Sequence, residues 1–189
     1  MMKCVNMTEN YSFSTNWTDQ YSDLWKHFIP KDISSVLEIG NWEGRSTIWF
    51  ADYFDQAQIT SIDPSKCGNR HTLLSNISKS PNVSRIKLIF EKSEDALPHL
   101  SKNSFDFIYI DGNHNASNVL LDGLLSFNLL KKDGVLIFDD YNWSGEDRFG
   151  NYSFTGILPK ESIDHFISIM DCEVLHLGYQ AVIKKCNLI

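Results

Sequence analysis

Residues 35–44, SVLEIGNWEG, form a short apolar run that ends in a turn with a glycine at each end. A helical pattern follows from Gly44 to Phe54, and a second apolar run comes next, from Ile59 to Ile62. Strand, turn, helix and strand in this order are typical of a βαβ unit, whose strands are parallel and buried. The stretch therefore predicts an α/β protein with a central parallel sheet.

The same alternation extends to both sides of this stretch. A leading amphipathic helix is predicted from Trp17 to Phe28, since its apolar residues recur at helical spacing. The further predicted strands are Ile86–Phe90, Phe105–Ile110 and Val135–Phe138, and the further helices are Thr72–Ser78, Glu94–Leu100, Ala116–Leu130 and Lys160–Met170. Five parallel strands with helices on both faces make a doubly wound sheet.

The last two predicted strands, Glu173–Leu177 and Ala181–Lys184, are separated only by Gly178-Tyr179-Gln180. A turn this short requires antiparallel pairing. The predicted fold is therefore a doubly wound, mostly parallel seven-stranded sheet with a C-terminal antiparallel hairpin, unlike the dinucleotide-binding Rossmann sheet, which is parallel throughout. We expect one domain over residues 1–189, with a leading segment and helix at 1–30 and a lid-like loop at 139–159.

Composition and charge restrict the function classes. Seventeen Lys and Arg against 24 Asp and Glu give a net charge of −7, and no basic run could follow a phosphate backbone, which disfavours nucleic acid. No apolar run has the length of a signal peptide or membrane span, and the four cysteines have no C-x-x-C spacing. We therefore expect a cytoplasmic protein with reduced thiols, no membrane partner and a small-molecule substrate, either monomeric or homo-oligomeric.

The turn from Gly40 to Gly44 predicts the type of ligand. In dinucleotide enzymes the second glycine of G-x-G-x-x-G lets a pyrophosphate approach the backbone, and here that position is Trp42. A nicotinamide-dependent oxidoreductase is therefore disfavoured, whereas a ligand without phosphates, such as S-adenosylmethionine (SAM), is compatible. Asp63 ends the second strand, where a carboxylate can accept hydrogen bonds from both ribose hydroxyls. Alternatively, Asp63 only caps a turn before Pro64.

Taken in order, several segments between Val36 and Lys184 resemble the motifs of class I SAM-dependent methyltransferases. These segments are VLEIGNWEGRSTIWFA, ITSIDPS, FEKSEDALPHL, FDFIYIDGNH and LLKKDGVLIFDDYNW. Within that superfamily the sequence is most similar to the group that includes macrocycle-sugar O-methyltransferases, and it also resembles the metal-dependent catechol and caffeoyl-CoA O-methyltransferases. The resemblance implies methyl transfer from SAM to a small-molecule hydroxyl. A non-catalytic module that binds SAM or S-adenosylhomocysteine is the alternative.

The resemblance also implies roles for single residues. Glu38, Gly40 and Trp42 would line the methionine and ribose side, and Ser46 would lie near the methionine end. Asp63 would hold the ribose, Ser93 and Glu94 match the adenine-contacting loop, and Asp111 matches a position facing the methionine amine or a metal.

Three carboxylates, Asp111, Asp139 and Asp140, follow the ends of predicted neighbouring strands. Such a concentration of negative charge is unfavourable unless protons or a cation relieve it, so we predict a Mg²⁺ or Mn²⁺ site. The metal-dependent catechol type has Asp, Asp and Asn here, and this sequence departs from it at Asp140. Alternatively, Asp139 and Asp140 only begin the loop.

His114 follows Asp111 by three residues and is the predicted general base, because an imidazole titrates near neutrality. Asp111 is predicted to take part in catalysis with it. Alternatively, His114 caps the following helix.

The predicted lid is aromatic, which suits a wall over an apolar or sugar-like substrate. Its rings are Tyr141, Trp143, Phe149, Tyr152 and Phe154. Alternatively, these rings only pack the loop onto the domain.

Overall fold

The computed structural model describes residues 11–65, 69–145 and 156–187. Within these ranges the strands are β1 Ser35–Ile39, β2 Gln58–Ile62, β3 Ile86–Ile89, β4 Phe105–Ile110, β5 Leu130–Phe138, β6 Cys172–Leu177 and β7 Ala181–Lys185. The α-helices are α1 Trp17–Phe28, α2 Arg45–Tyr53, α3 Arg70–Lys79, α4 Ser93–Ala96, α5 Ala116–Leu129 and α6 Lys160–Ile169. None of these helices has the length and apolar character needed to cross a membrane.

All seven strands lie in one sheet with the order β3-β2-β1-β4-β5-β7-β6. Strands β1 to β5 are paired in parallel, and β7 runs antiparallel between β5 and β6. The predicted doubly wound, mostly parallel sheet with an antiparallel hairpin is therefore confirmed. The order changes direction between β1 and β4, which is where open α/β sheets bind their ligands.

Side chains on alternate residues of each strand build two cores, one on each face of the sheet. On β4, Phe107 and Tyr109 pack toward Trp25 of α1, whereas Ile108 and Ile110 belong to the core on the opposite face. Burying side chains of this size contributes about 1.5–3 kcal/mol each. Because both faces are covered by helices, the carboxyl ends of the strands are the edge at which a site can form.

Two elements differ from the sequence-based expectation by more than two residues at one end. Strand β5 begins at Leu130 rather than Val135, because the fully buried Leu130 pairs with Phe105 across an irregularity in the ladder. The sequence did not predict this extension, because the charged residues 131–133 interrupt the apolar run. The helix expected over Glu94–Leu100 is only α4 followed by a 3₁₀ turn at Leu97–His99, since Pro98 has no backbone N–H for an α-helical bond.

A lysine ammonium lies inside the domain at the end of α5. Lys185 is 1% exposed. Its Nζ donates to the backbone oxygens of Phe127 at 2.8 Å and Leu130 at 2.9 Å, and to Oδ1 of Asn103 at 3.3 Å. These are carbonyls of the kind that a helix end leaves without an internal partner, so Lys185 satisfies the C-terminus of α5. Burial lowers the pKa of Lys185.

Candidate functional site

Three neighbouring strands, β1, β4 and β5, end side by side. The backbone N–H of Asp111 donates to Ile39 O at 2.8 Å, and that of Asp139 donates to Ile110 O at 2.9 Å. The ladder thus continues just past the last strand residues, and Gly40, Asp111 and Asp139 begin their loops at one edge of the sheet. The structure brings the predicted residues of separate motifs together there.

The turn after β1 depends on Gly40. Its φ is +87°, and a Cβ at this position would lie 1.8 Å from the backbone oxygen of Asp111. Only glycine fits, because the ends of β1 and β4 touch. The fold therefore requires glycine at this position, whether or not a ligand binds there. Trp42 has a φ of +43°, unusual for a bulky residue, and is about half exposed. Backbone strain of this kind is often found at ligand sites.

Glu38, which the resemblance implies lines the methionine and ribose side, lies beneath this turn. The side chain is fully buried, and three hydroxyls donate to its carboxylate. Ser46 donates to Oε1 at 2.5 Å, whereas Thr47 and Ser61 donate to Oε2 at 2.5 and 2.6 Å. Burial raises the pKa of Glu38 to about 7, although the three hydroxyls oppose the shift. Ser46, predicted near the methionine end of a cofactor, is thus a partner of Glu38.

Asp63 stands at the end of β2 with both carboxylate oxygens engaged by backbone donors. The N–H of Asn41 donates to Oδ2 at 3.2 Å, and the N–H of Ser65 donates to Oδ1 at 2.5 Å. The Ser65 contact is the turn cap that the sequence left open as an alternative. A carboxylate offers about four acceptor sites, so these two bonds leave capacity for ribose hydroxyls as well.

Ser93 and Glu94 begin α4, just past the end of β3. Ser93 hydrogen-bonds to Asp122 of α5, a carboxylate that is 3% exposed. Burial raises the pKa of Asp122 to about 6. Glu94 pairs with Lys92 at 2.8 Å. The two predicted adenine-loop residues therefore lie beside a buried acid that sequence analysis did not single out.

The acidic cluster differs in membership from the predicted set. The side chains of Asp111, His114 and Asp140 bring one ligand atom each within 4.8 Å of one another. Nδ1 of His114 lies 2.5 Å from Oδ2 of Asp140. Asp139 was expected in this group, but its Oδ1 instead accepts a hydrogen bond from Nε2 of Gln180 at 2.5 Å. His114 takes its place because the loop after β4 turns back toward β5.

The acids of this cluster and the neighbouring Asp139 repel one another. Burial, followed by the charges of Asp139 and Asp140, raises the pKa of Asp111 well above its usual range. Burial and the charge of Asp140 raise the pKa of Asp139 to about 7. For His114, burial would lower the pKa, but the hydrogen bond and charge of Asp140 outweigh it and raise the pKa. The cluster thus holds excess negative charge that a proton or a cation would relieve.

The start of the predicted lid has two rings with different roles. Tyr141 is buried, donates to Asp164 at 2.7 Å and accepts from Lys160 at 2.6 Å, so it anchors the loop onto α6. The ring of Trp143 lies 5.0 Å from that of His114, so it forms a wall beside the histidine. The other three predicted lid rings, at 149, 152 and 154, lie outside the described residues.

Sequence analysis missed two hairpin residues that contact the acids. Tyr179 donates to Oδ1 of Asp140 at 2.5 Å, and Gln180 donates to Asp139. Both belong to the hairpin turn, which the sequence defined only by its length. Their only signal was that a polar and an aromatic side chain occupied a three-residue turn.

The chain has detectable likenesses to known proteins. A family model described as a methyltransferase domain matches residues 37–141. An O-methyltransferase from Bacillus cereus, solved in complex with S-adenosylhomocysteine, is 20% identical, with a TM-score of 0.66 over 95% of this chain and 85% of that one. TomG from Streptomyces achromogenes, an O-methyltransferase of tomaymycin synthesis solved with SAM, is 14% identical, with a TM-score of 0.69 over 95% and 83%.

One relative is more similar in sequence. An uncharacterized protein of Acanthamoeba polyphaga mimivirus is 32% identical over a 126-residue alignment that covers 61% of this chain and 57% of the mimivirus protein. The chain therefore spans little more than half the length of that relative.

Proposed function

Because the chain belongs to the methyltransferase domain family, whose model covers residues 37–141, we propose that it transfers the sulfonium methyl group of SAM to a hydroxyl oxygen of a small-molecule acceptor. The observation that supports oxygen as the acceptor atom is the contact between His114 and Asp140, whose Nδ1 and Oδ2 atoms lie 2.5 Å apart at the carboxyl edge of the sheet. An imidazole held by a carboxylate is suited to remove a proton from a hydroxyl.

In this proposal the cofactor lies along the edge formed by the ends of β1, β2 and β4. Asp63 accepts hydrogen bonds from the ribose hydroxyls, and the turn at Gly40 supports the methionine part. Glu38 lies below this turn with an elevated pKa of about 7. A bound sulfonium or ammonium group would favour its charged form, so Glu38 supplies negative charge to a cationic ligand.

The transfer itself forms an oxygen–carbon bond as the sulfur–carbon bond breaks. The acceptor hydroxyl loses its proton to Nε2 of His114. Nδ1 keeps its own hydrogen, which forms a hydrogen bond to Asp140. The electron pair of the broken bond remains on sulfur, which becomes the neutral thioether of S-adenosylhomocysteine. The rest of the contribution is alignment and exclusion of water, for which Trp143 stands beside His114 at a ring distance of 5.0 Å.

A divalent cation fits the same residues. Two carboxylates and an imidazole converge within 4.8 Å, and burial together with the charges of Asp139 and Asp140 raises the pKa of Asp111. Asp111 and Asp140 would hold Mg²⁺ or Mn²⁺, with Asp139 adjacent, since these ions prefer carboxylate oxygen, and His114 would stay free to act as the base. When bound, the ion would lower the pKa of an acceptor hydroxyl.

Calorimetric titration of the purified chain with SAM, S-adenosylhomocysteine and NAD tests the cofactor. We expect dissociation constants in the micromolar range for the first two and no heat with NAD. NAD binding without SAM binding would refute the proposal.

A panel of hydroxylated small molecules, with mass spectrometry for one added methyl group, then tests the activity. His114→Ala should abolish transfer while leaving SAM binding intact. Chelation by EDTA should abolish it as well, with recovery on adding Mg²⁺ or Mn²⁺. If EDTA does not change the turnover rate, the reaction needs no metal and His114 acts as the base alone. SAM binding with no turnover on any acceptor would indicate the non-catalytic module.

A further inference from the structure

The turn between β6 and β7 is fastened to the segment that follows β5. The backbone N–H of Asn142 donates to Tyr179 O at 3.1 Å, and Nδ2 of Asn142 donates to Gly178 O at 2.5 Å. The side chains add the two bonds to the acids, from Tyr179 to Asp140 and from Gln180 to Asp139. Four hydrogen bonds thus join residues 178–180 to residues 139–142.

The same turn is held from the other side by α1. Gln180 is fully buried, and its Oε1 accepts from Nε1 of Trp25 at 2.8 Å. Tyr21, one helical turn earlier, stacks on the ring of Tyr179 with centroids 5.4 Å apart and planes 14° apart. Both hairpin side chains are therefore fixed between a helix and an acid. Their conformations are set before any ligand arrives.

The carboxylate of Asp140 is shared between two donors. Oδ1 accepts from the Tyr179 hydroxyl at 2.5 Å, and Oδ2 lies 2.5 Å from Nδ1 of His114. A carboxylate held at one oxygen presents the other in a fixed direction. The partner of Nδ1 determines which imidazole nitrogen carries the hydrogen and which one can accept a proton.

From these contacts we infer that Tyr179 is a positioning residue for His114, acting through Asp140, and that Gln180 fixes the turn that carries Tyr179. This inference rests on the proposed function, in which Nε2 of His114 accepts the proton of the acceptor. Without Tyr179 the carboxylate of Asp140 can rotate, and Nδ1 of His114 loses its fixed acceptor. The hairpin therefore specifies the tautomer of the base.

The test measures the tautomer of His114 directly. Imidazole nitrogens are followed by long-range ¹H–¹⁵N correlation spectra at a pH where the ring is neutral, in wild type, Tyr179→Phe and Gln180→Met. Matched controls are Tyr53→Phe and Gln58→Met, which make the same chemical changes at residues outside the site. Thermal unfolding and calorimetric SAM binding are measured on every variant.

In wild type we expect the form with hydrogen on Nδ1. Tyr179→Phe should shift the population severalfold toward the form with hydrogen on Nε2, and Gln180→Met should shift it less, with SAM affinity within twofold of wild type. Both controls should match wild type. With an acceptor in hand, Tyr179→Phe should lower kcat about 10- to 100-fold, a share of what a general base contributes, with KM for SAM unchanged.

An unchanged His114 tautomer in both hairpin variants, or an equal change in the controls, would overturn the inference. Failure of wild type to bind SAM is a separate result, because it would reject the proposed function while leaving the tautomer measurement readable.

Discussion

Replacing Glu38 with Gln should make the cofactor-free protein more stable at pH 8 and remove part of its pH dependence. Burial raises the pKa of Glu38 from an ordinary 4.5 to about 7. Between these two values the native state holds the proton more tightly than the unfolded state, so the free energy of unfolding falls as pH rises. The whole window corresponds to about 3 kcal/mol, at about 1.4 kcal/mol for each pH unit.

The assay is urea unfolding of wild type and Glu38→Gln at intervals between pH 4.5 and pH 8. Near pH 4.5 both side chains are neutral, so the two proteins should differ little. By pH 8 the variant should gain about 3 kcal/mol relative to wild type. Glu173→Gln is the matched control, because Glu173 lies on an exposed part of β6, and its difference from wild type should stay flat. A flat Glu38→Gln difference, or one of opposite slope, would refute the reasoning.

Three further outcomes are expected. Asp63→Ala should weaken SAM binding by about 1.5–3 kcal/mol in calorimetry, and Asp63→Asn by less, whereas an unchanged dissociation constant would make Asp63 only a turn residue. Lys185→Met should lower the free energy of unfolding by about 2 kcal/mol in urea, because it leaves the buried Phe127 and Leu130 carbonyls unpaired. Although burial opposes it, hydrogen bonds from Lys131, Ser35 and Ser34 lower the pKa of Asp106 to about 2. Asp106→Asn should therefore cost about 1 kcal/mol at pH 7, after allowing for solvent screening, and progressively less as the pH falls from about 4 through 2.

Most of the sheet could be predicted because each strand carried its own local signal. The helix from Trp17 to Phe28 and the strands at Ser35–Ile39 and Phe105–Ile110 agree with the structure to the residue. Their apolar runs are bounded by polar residues, glycine or proline. Strand β5 was predicted short because its first half gains its strand conformation from pairing with β4, and the charged residues there give no local sign of it.

Only the part of the candidate site that follows from the order of strands along the chain was predictable. Asp111, Asp139 and Asp140 follow strand ends, so their common edge follows from parallel pairing. Which of them group with His114 depends on how two loops fold back, and single residues do not encode that. Likewise, the contact of Gln180 with Asp139 joins positions 41 residues apart, and it becomes visible only when β7 lies beside β5.

The place of β7 has a consequence for how the protein folds. Strand β5 precedes β7 by more than forty residues, yet β7 pairs with the edge of β5 that faces away from β4. Strand β6 pairs with the other edge of β7. Contacts this distant along the chain close slowly, because the intervening loop must lose its entropy first. Until β7 docks beside β5, Asp140 and Asp139 lack their hydrogen bonds from Tyr179 and Gln180, so these contacts are completed only when the C-terminal hairpin pairs with the sheet.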